Sequence, residues 1–171
     1  MNKKIKIRKS EISQNSKISD YREIDYSDCF VCEIDSNKDI SADDIMVAFW
    51  TIMPKWLSFL FKLRDVLVKP FGLKTGENGD AKLLEEAIRT GGKYSFVSVL
   101  EKSDNETIIS LSDKHLTAYL SVYIEKESKI YATTLVKFHN KLGVLYFYAI
   151  CPFHKIVVKN MFKTSVKHLL Q

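Results

Sequence analysis

The chain has 171 residues, 46% of them hydrophobic and 27% charged, with a formal net charge of +5. This is one domain's worth of sequence with enough apolar content for a substantial core, which excludes a disordered chain. The apolar runs 45–61, interrupted by Pro54 and Lys55, and 142–153 both fall short of the roughly 20 apolar residues that span a bilayer, so no transmembrane segment is expected.

The basic start MNKKIKIRKS leads into polar residues rather than an apolar run with a small-residue cleavage site, so the expected compartment is the cytoplasm. Residues 1–171 are read as a single domain, with residues 1–20 as a flexible or edge-strand segment and a short strand at Lys4–Arg8. A second strand is expected at Ser27–Ile34. It contains Cys29 and Cys32, which three-residue spacing sends to opposite faces, so the pair reads as buried thiols rather than a redox or metal motif. No other cysteine or histidine pair has metal-ligand spacing, and no metal or cofactor is expected.

Ser41 and Asp44 have the spacing of a capping box and predict a helix start. The helix that follows is apolar on almost every side, so it is expected to be buried. Pro54 ends it and suits the first turn of a second helix reaching about Lys69. There Lys55, Ser58, Lys62, Asp65 and Lys69 line a wet side, Trp56 faces the interior, and Arg64 stands as a lone charge on an apolar flank. Such a charge needs a partner, either an acid on a neighbouring element or a ligand carboxylate. Residues 80–89 fit both a short helix and an irregular strand.

From Lys93 onward the period shortens to two, with strands at Tyr94–Lys102, Thr107–Ser112, His115–Glu125 and Ile130–His139 separated by turn residues, an antiparallel meander. Register in the last hairpin follows from which side chains must share a face. Pairing Glu125 with Lys129 sets Ile124, Val122, Ala118 and Leu116 against Ile130, Ala132, Val136 and Phe138. The other face then holds Tyr123 against Tyr131, Tyr119 against Leu135 and His115 against His139. That polar and aromatic face reads as the solvated side of the sheet, or as one wall of a pocket.

Beyond Phe153 an amphipathic helix is expected, its apolar face formed by Phe153, Val157, Val158, Met161, Phe162, Val166 and Leu169. Lys155, Lys159, Lys163 and Lys167 form a stripe spaced by four. The stripe is read as a solvated face, and no nucleic-acid partner is expected. His154 follows Pro152 and reads as a helix-start histidine bonded to backbone, with a pocket acid or base as the other reading.

Strand, two helices, meander and long C-terminal helix make an α+β plan: an antiparallel sheet, curved around a packed C-terminal helix. The order resembles the helix-grip fold of START and Bet v 1-like (SRPBCC) proteins. A closer resemblance is carried by the YSDCF run at Tyr26–Phe30, Pro54–Trp56, Leu63–Asp65, Phe71–Lys74, Asp113–Leu116, Thr134–His139, Leu142–Phe147 and Pro152–His154. Together these look like the bacterial domain-of-unknown-function family 2867 (DUF2867), from about residue 20 onward. The resemblance implies a helix-grip-like domain and brings neither a substrate nor catalytic residues.

No Gly-x-Ser-x-Gly elbow, phosphate-binding loop, HExxH or GxGxxG occurs, so no reaction is identified and an enzyme is not favoured. The expected function is a binding module, with an apolar small molecule held between sheet and C-terminal helix by Trp50, Trp56, Tyr94, Tyr119, Tyr146 and Phe153, and Arg64 as a polar contact. The alternatives are a cyclase- or hydratase-like enzyme using His115, His139 or His154 as proton carrier, and a non-catalytic interaction domain.

Overall fold

A computed structural model describes residues 5–34, 39–52, 80–126 and 128–171. The second helix expected after Pro54, with Trp56 and Arg64, lies outside the described residues. Among the described residues seven antiparallel strands form one open sheet in the order β1-β2-β7-β6-β5-β4-β3. They are β1 (Arg8–Lys9), β2 (Tyr26–Glu33), β3 (Lys93–Tyr94), β4 (Val97–Lys102), β5 (Glu106–Ser112), β6 (Leu116–Glu125) and β7 (Lys129–Phe138). Three α-helices belong to the described residues, α1 (Ala42–Thr51), α2 (Ala81–Thr90) and α3 (Lys141–Leu169), with a single 3₁₀ turn at Lys17–Asp20.

The register of the last hairpin is the one that face-sharing demanded. Glu125 pairs with Lys129, Ile124 with Ile130, Val122 with Ala132, Ala118 with Val136 and Leu116 with Phe138. Every apolar residue on that face meets another, and a one-residue slip would turn the whole set toward the opposite side. Beyond the ladder, His139 N–H donates to the His115 carbonyl at 2.8 Å.

Helix α1 starts where the capping box sets it: Ser41 Oγ accepts from Asp44 N–H, and the Asp44 carboxylate accepts from Ser41 N–H. Its Ile45, Met46 and Phe49 enter the main core with Phe30, Cys32, Val122 and Ile130 of the sheet and Val158, Met161, Phe162 and Val166 of α3. Asp43 turns to the sheet instead, accepting from Thr107 Oγ1 at 2.5 Å and pairing with Lys102. Lys102 Nζ also donates to the Ile88 and Arg89 carbonyls at the C-terminus of α2, where a cation offsets the dipole. Residues 81–90 are therefore helical; Asp80 caps the start, and Gly91, at φ +75°, supplies the left-handed end.

Helix α3 is longer than the amphipathic pattern indicated. It begins at an Asn140 cap, whose Oδ1 accepts from Gly143 N–H, and runs through Pro152. An internal proline removes one helical hydrogen bond and costs about 3 kcal/mol. Burial of Phe147, Cys151, Val158, Met161 and Phe162 on the sheet side offsets that cost. Two expectations change with it: His154 sits mid-helix, and Phe153, expected on the apolar face, is half exposed.

The second face of the sheet is covered in part by the N-terminal segment. Ile18, Ile12, Tyr21 and Ile24 pack on Ile108, Leu135 and Tyr119. Buried Glu106 fixes that segment, accepting from Ser16 Oγ at 2.6 Å, Lys17 N–H at 2.7 Å and Ser121 Oγ at 2.7 Å. The solvated-face reading is thus replaced over this area, because four apolar residues and a satisfied buried carboxylate hold residues 12–24 down.

Candidate functional site

Along β2 the helix-facing positions are Tyr26, Asp28, Phe30 and Cys32, and their partners on β7 are Val136, Thr134, Ala132 and Ile130. Phe30, Cys32, Ala132 and Ile130 belong to the main core. Val136 belongs to a second apolar cluster with Phe147 and Cys151, against which Tyr26, Leu116, Ala118 and Phe138 pack. Asp28 and Thr134 form the polar rung between the two. Above them, α3 carries His154 between Cys151 and Val158, at helical spacing of three and four on the same face. One acid, one hydroxyl and one imidazole thus converge inside an otherwise apolar layer.

The Asp28 side chain is 2% exposed and that of His154 19%, with His154 Nε2 at 3.2 Å from Asp28 Oδ2. Tyr26 OH donates to the same oxygen at 2.7 Å. Asp28 Oδ1, Thr134 Oγ1 and His154 Nε2 are buried and make no aligned hydrogen bond. The imidazole thus stands close to the carboxylate at 3.2 Å without a well-aligned hydrogen bond. Burial by itself would raise the Asp28 pKa; His154, Tyr26 and Thr134 outweigh it and hold the carboxyl below its ordinary range. Burial and the Asp28 carboxylate push the Tyr26 phenol well up, so Tyr26 stays a proton donor. The rings of Tyr26 and Phe147 enclose His154, with centroids at 6.3 and 5.9 Å.

The other candidate histidines sit opposite one another at the end of the β6–β7 ladder, as expected, but their side chains go to different partners. His115 is buried at the β5–β6 turn, its Nδ1 3.2–3.3 Å from the Asn140 side-chain amide. Gly143 lies against it so closely that a Cβ at that position would be 2.2 Å from the His115 carbonyl oxygen. His139 contacts Thr117 Oγ1 through Nε2 at 3.0 Å. No group of three His, Cys, Asp or Glu that could hold a metal occurs among the described residues.

Nor do the expected aromatic residues share one enclosure. Trp50 packs at the main core with Phe49. Tyr94 is on β3 at the far edge, its hydroxyl accepting from Asp80 N–H at 2.9 Å. Tyr119 is on the second face under Tyr21, Tyr146 is half-buried on α3, and Phe153 is outside. Trp56 and Arg64 fall outside the described residues. On the second face a groove of about 220 Å³ is lined by Ile12, Ile18, Tyr21, Ile24, Tyr26 and Leu135.

The family described as "Protein of unknown function (DUF2867)" matches residues 21–161. The chain belongs to this family. Comparison with curated proteins and with solved structures found no match.

Asp28, Tyr26, Thr134 and His154 all lie within the DUF2867 span. Of the four, sequence reasoning had singled out only His154. The missed signal was Asp28 itself: a charged residue at a core-facing position of a strand whose other inward positions are Tyr26, Phe30 and Cys32. Cys29 and Cys32 point to opposite faces and are both buried, which pushes their thiols up to about 11 and about 12, so they are poor nucleophiles.

Proposed function

We propose that this DUF2867 chain is a small-molecule binding domain whose ligand is held between β2, β7 and α3. The ligand would be a largely apolar molecule carrying a hydroxyl or amino donor. The observation that carries the reading is the polar rung of Asp28, Thr134 and His154 between two apolar clusters, with three buried polar atoms lacking aligned partners. Buried polar groups are nearly always satisfied, and three of the five exceptions among the described residues meet here, the others being Trp50 Nε1 and His115 Nε2; such a concentration suits a site built for a partner. An ionised carboxylate with a free oxygen selects a donor, and the flanking apolar clusters select the rest of the molecule. The order of strand, helix, meander and long C-terminal helix, resembling helix-grip proteins, supports the same placement.

The test is mass spectrometry of small molecules retained by the purified chain, followed by thermal-shift titration with the compounds recovered. Stabilisation that D28N abolishes supports the reading. Recovery of no apolar molecule, with no stabilisation by long-chain alcohols, amines or aromatic compounds, overturns it. A second reading, proton transfer by a hydratase- or cyclase-like enzyme, draws on the pairing of His154 with an ionised Asp28, which would orient the imidazole and stabilise the imidazolium formed when it takes a proton from substrate. It requires that His154→Gln abolish turnover of the recovered compound while leaving its binding intact.

A further inference from the structure

The outer face of α3 has a composition that neither the core nor the polar rung accounts for. Leu145, Tyr148, Phe153 and Ile156 are 63%, 55%, 50% and 53% exposed. At 100° per residue all four fall within one half of the helix, together with Lys141, Lys155, Lys159, Lys163 and Lys167. The opposite half carries Phe147, Cys151, Val158, Met161 and Phe162, which are buried. Helix α3 has five lysines and no acidic residue, and all five are exposed. Lys159, Lys163 and Lys167 make no ion pair among the described residues.

We propose that the outer face of α3 docks on an anionic membrane surface, lying in the interface with Leu145, Tyr148, Phe153 and Ile156 inserted and the lysines on lipid phosphates. The exposed apolar residues occupy the N-terminal part of this face, from Leu145 to Ile156, and the lysines continue it to Lys167; together they make a face about 33 Å long that offers both acyl-chain and phosphate contacts, as an interfacial helix does. By length and composition alone α3 could cross a bilayer; its inner face, packed on α1 and the sheet, leaves only the outer face for lipid. Charge complementarity decides the occupant. A second copy joined through the same face would set lysines against lysines with no acid on the helix to match them. Aliphatic Leu145 and Ile156, exposed at the two ends of the apolar part of this face, suit acyl chains rather than a phosphate backbone.

The experiment is co-sedimentation of the full chain with vesicles of phosphatidylcholine alone and of equal parts phosphatidylcholine and phosphatidylglycerol, at low and high salt. Binding to the anionic vesicles only, released by salt, is expected. Lys159→Glu with Lys163→Glu should weaken it about thirtyfold or more, and Leu145→Ser with Ile156→Ser about a hundredfold. Both variants should keep the parent's melting temperature, since every altered side chain is exposed. No sedimentation, or equal sedimentation with neutral vesicles, overturns the proposal. So does a solution dimer that the Leu145 and Ile156 substitutions dissociate, or nucleic-acid binding lost with the lysines and kept without the apolar pair.

Discussion

Removing the charge of Asp28 tests the polar rung most directly. In Asp28→Asn the Tyr26 hydroxyl keeps an acceptor but loses a charge-assisted one, worth about 1–2 kcal/mol. The 3.2 Å approach of His154 Nε2 to a side chain that is 2% exposed also loses its attraction. His154, unaligned and partly exposed, adds about 1 kcal/mol to this. A total destabilisation of about 2–3 kcal/mol near pH 6 follows, measured by urea unfolding. A double-mutant cycle of Asp28→Asn with His154→Gln should show coupling of about 1 kcal/mol or more, against about 0.3–0.5 kcal/mol for independent sites.

The pH dependence has a fixed sign. The Asp28 carboxyl titrates below its unfolded value when folded, so its stabilisation is complete above about pH 4 and is lost as pH falls through the folded pKa. Asp28→Asn should therefore flatten the acid limb of stability against pH, and the coupling to His154 should vanish at the acid end. Coupling within error of zero at pH 6, or a coupling unchanged at the lowest pH where the chain folds, would refute the assignment of Asp28 and His154 as an interacting pair.

Replacing Glu106 by Ala removes three hydrogen bonds at once and leaves the buried Ser16 and Ser121 hydroxyls unpaired. It should cost about 3–5 kcal/mol, with Glu106→Gln costing less, and limited proteolysis should cut residues 11–25 first. Gly143→Ala drives a methyl into the His115 carbonyl and should destabilise by about 1–3 kcal/mol in thermal unfolding, with altered exchange of the Leu116 and Gly143 amides. Phe162→Ala, at a fully buried position, should cost about 3–5 kcal/mol, while Phe153→Ala, half exposed on the same helix, should cost under about 1 kcal/mol. Similar losses for the two would contradict the assignment of inner and outer faces of α3.

What local chemistry specifies was legible in the chain itself. The capping box at Ser41 and Asp44 set the start of α1, and period-two patterning with face-sharing set the β6–β7 register residue for residue. Both depend on groups close in sequence or on a pairing that only one register satisfies. The opposite orientation of Cys29 and Cys32 followed from strand geometry alone.

Only the tertiary structure decided the rest. The sequence of α3 contains a proline, which locally argues for a helix boundary, and it took packing of Phe147 and Cys151 on one side and Val158 and Phe162 on the other to carry the helix through it. That continuity moved His154 from a supposed helix start to the sheet-facing side, opposite an acid 126 positions earlier. Likewise nothing near Glu106 in sequence foretells Ser16 and Lys17, 90 and 89 positions away. Composition and periodicity give each element its faces, whereas the partner of a buried polar group is chosen by which elements meet. For this chain, the core was a local property and the site a long-range one.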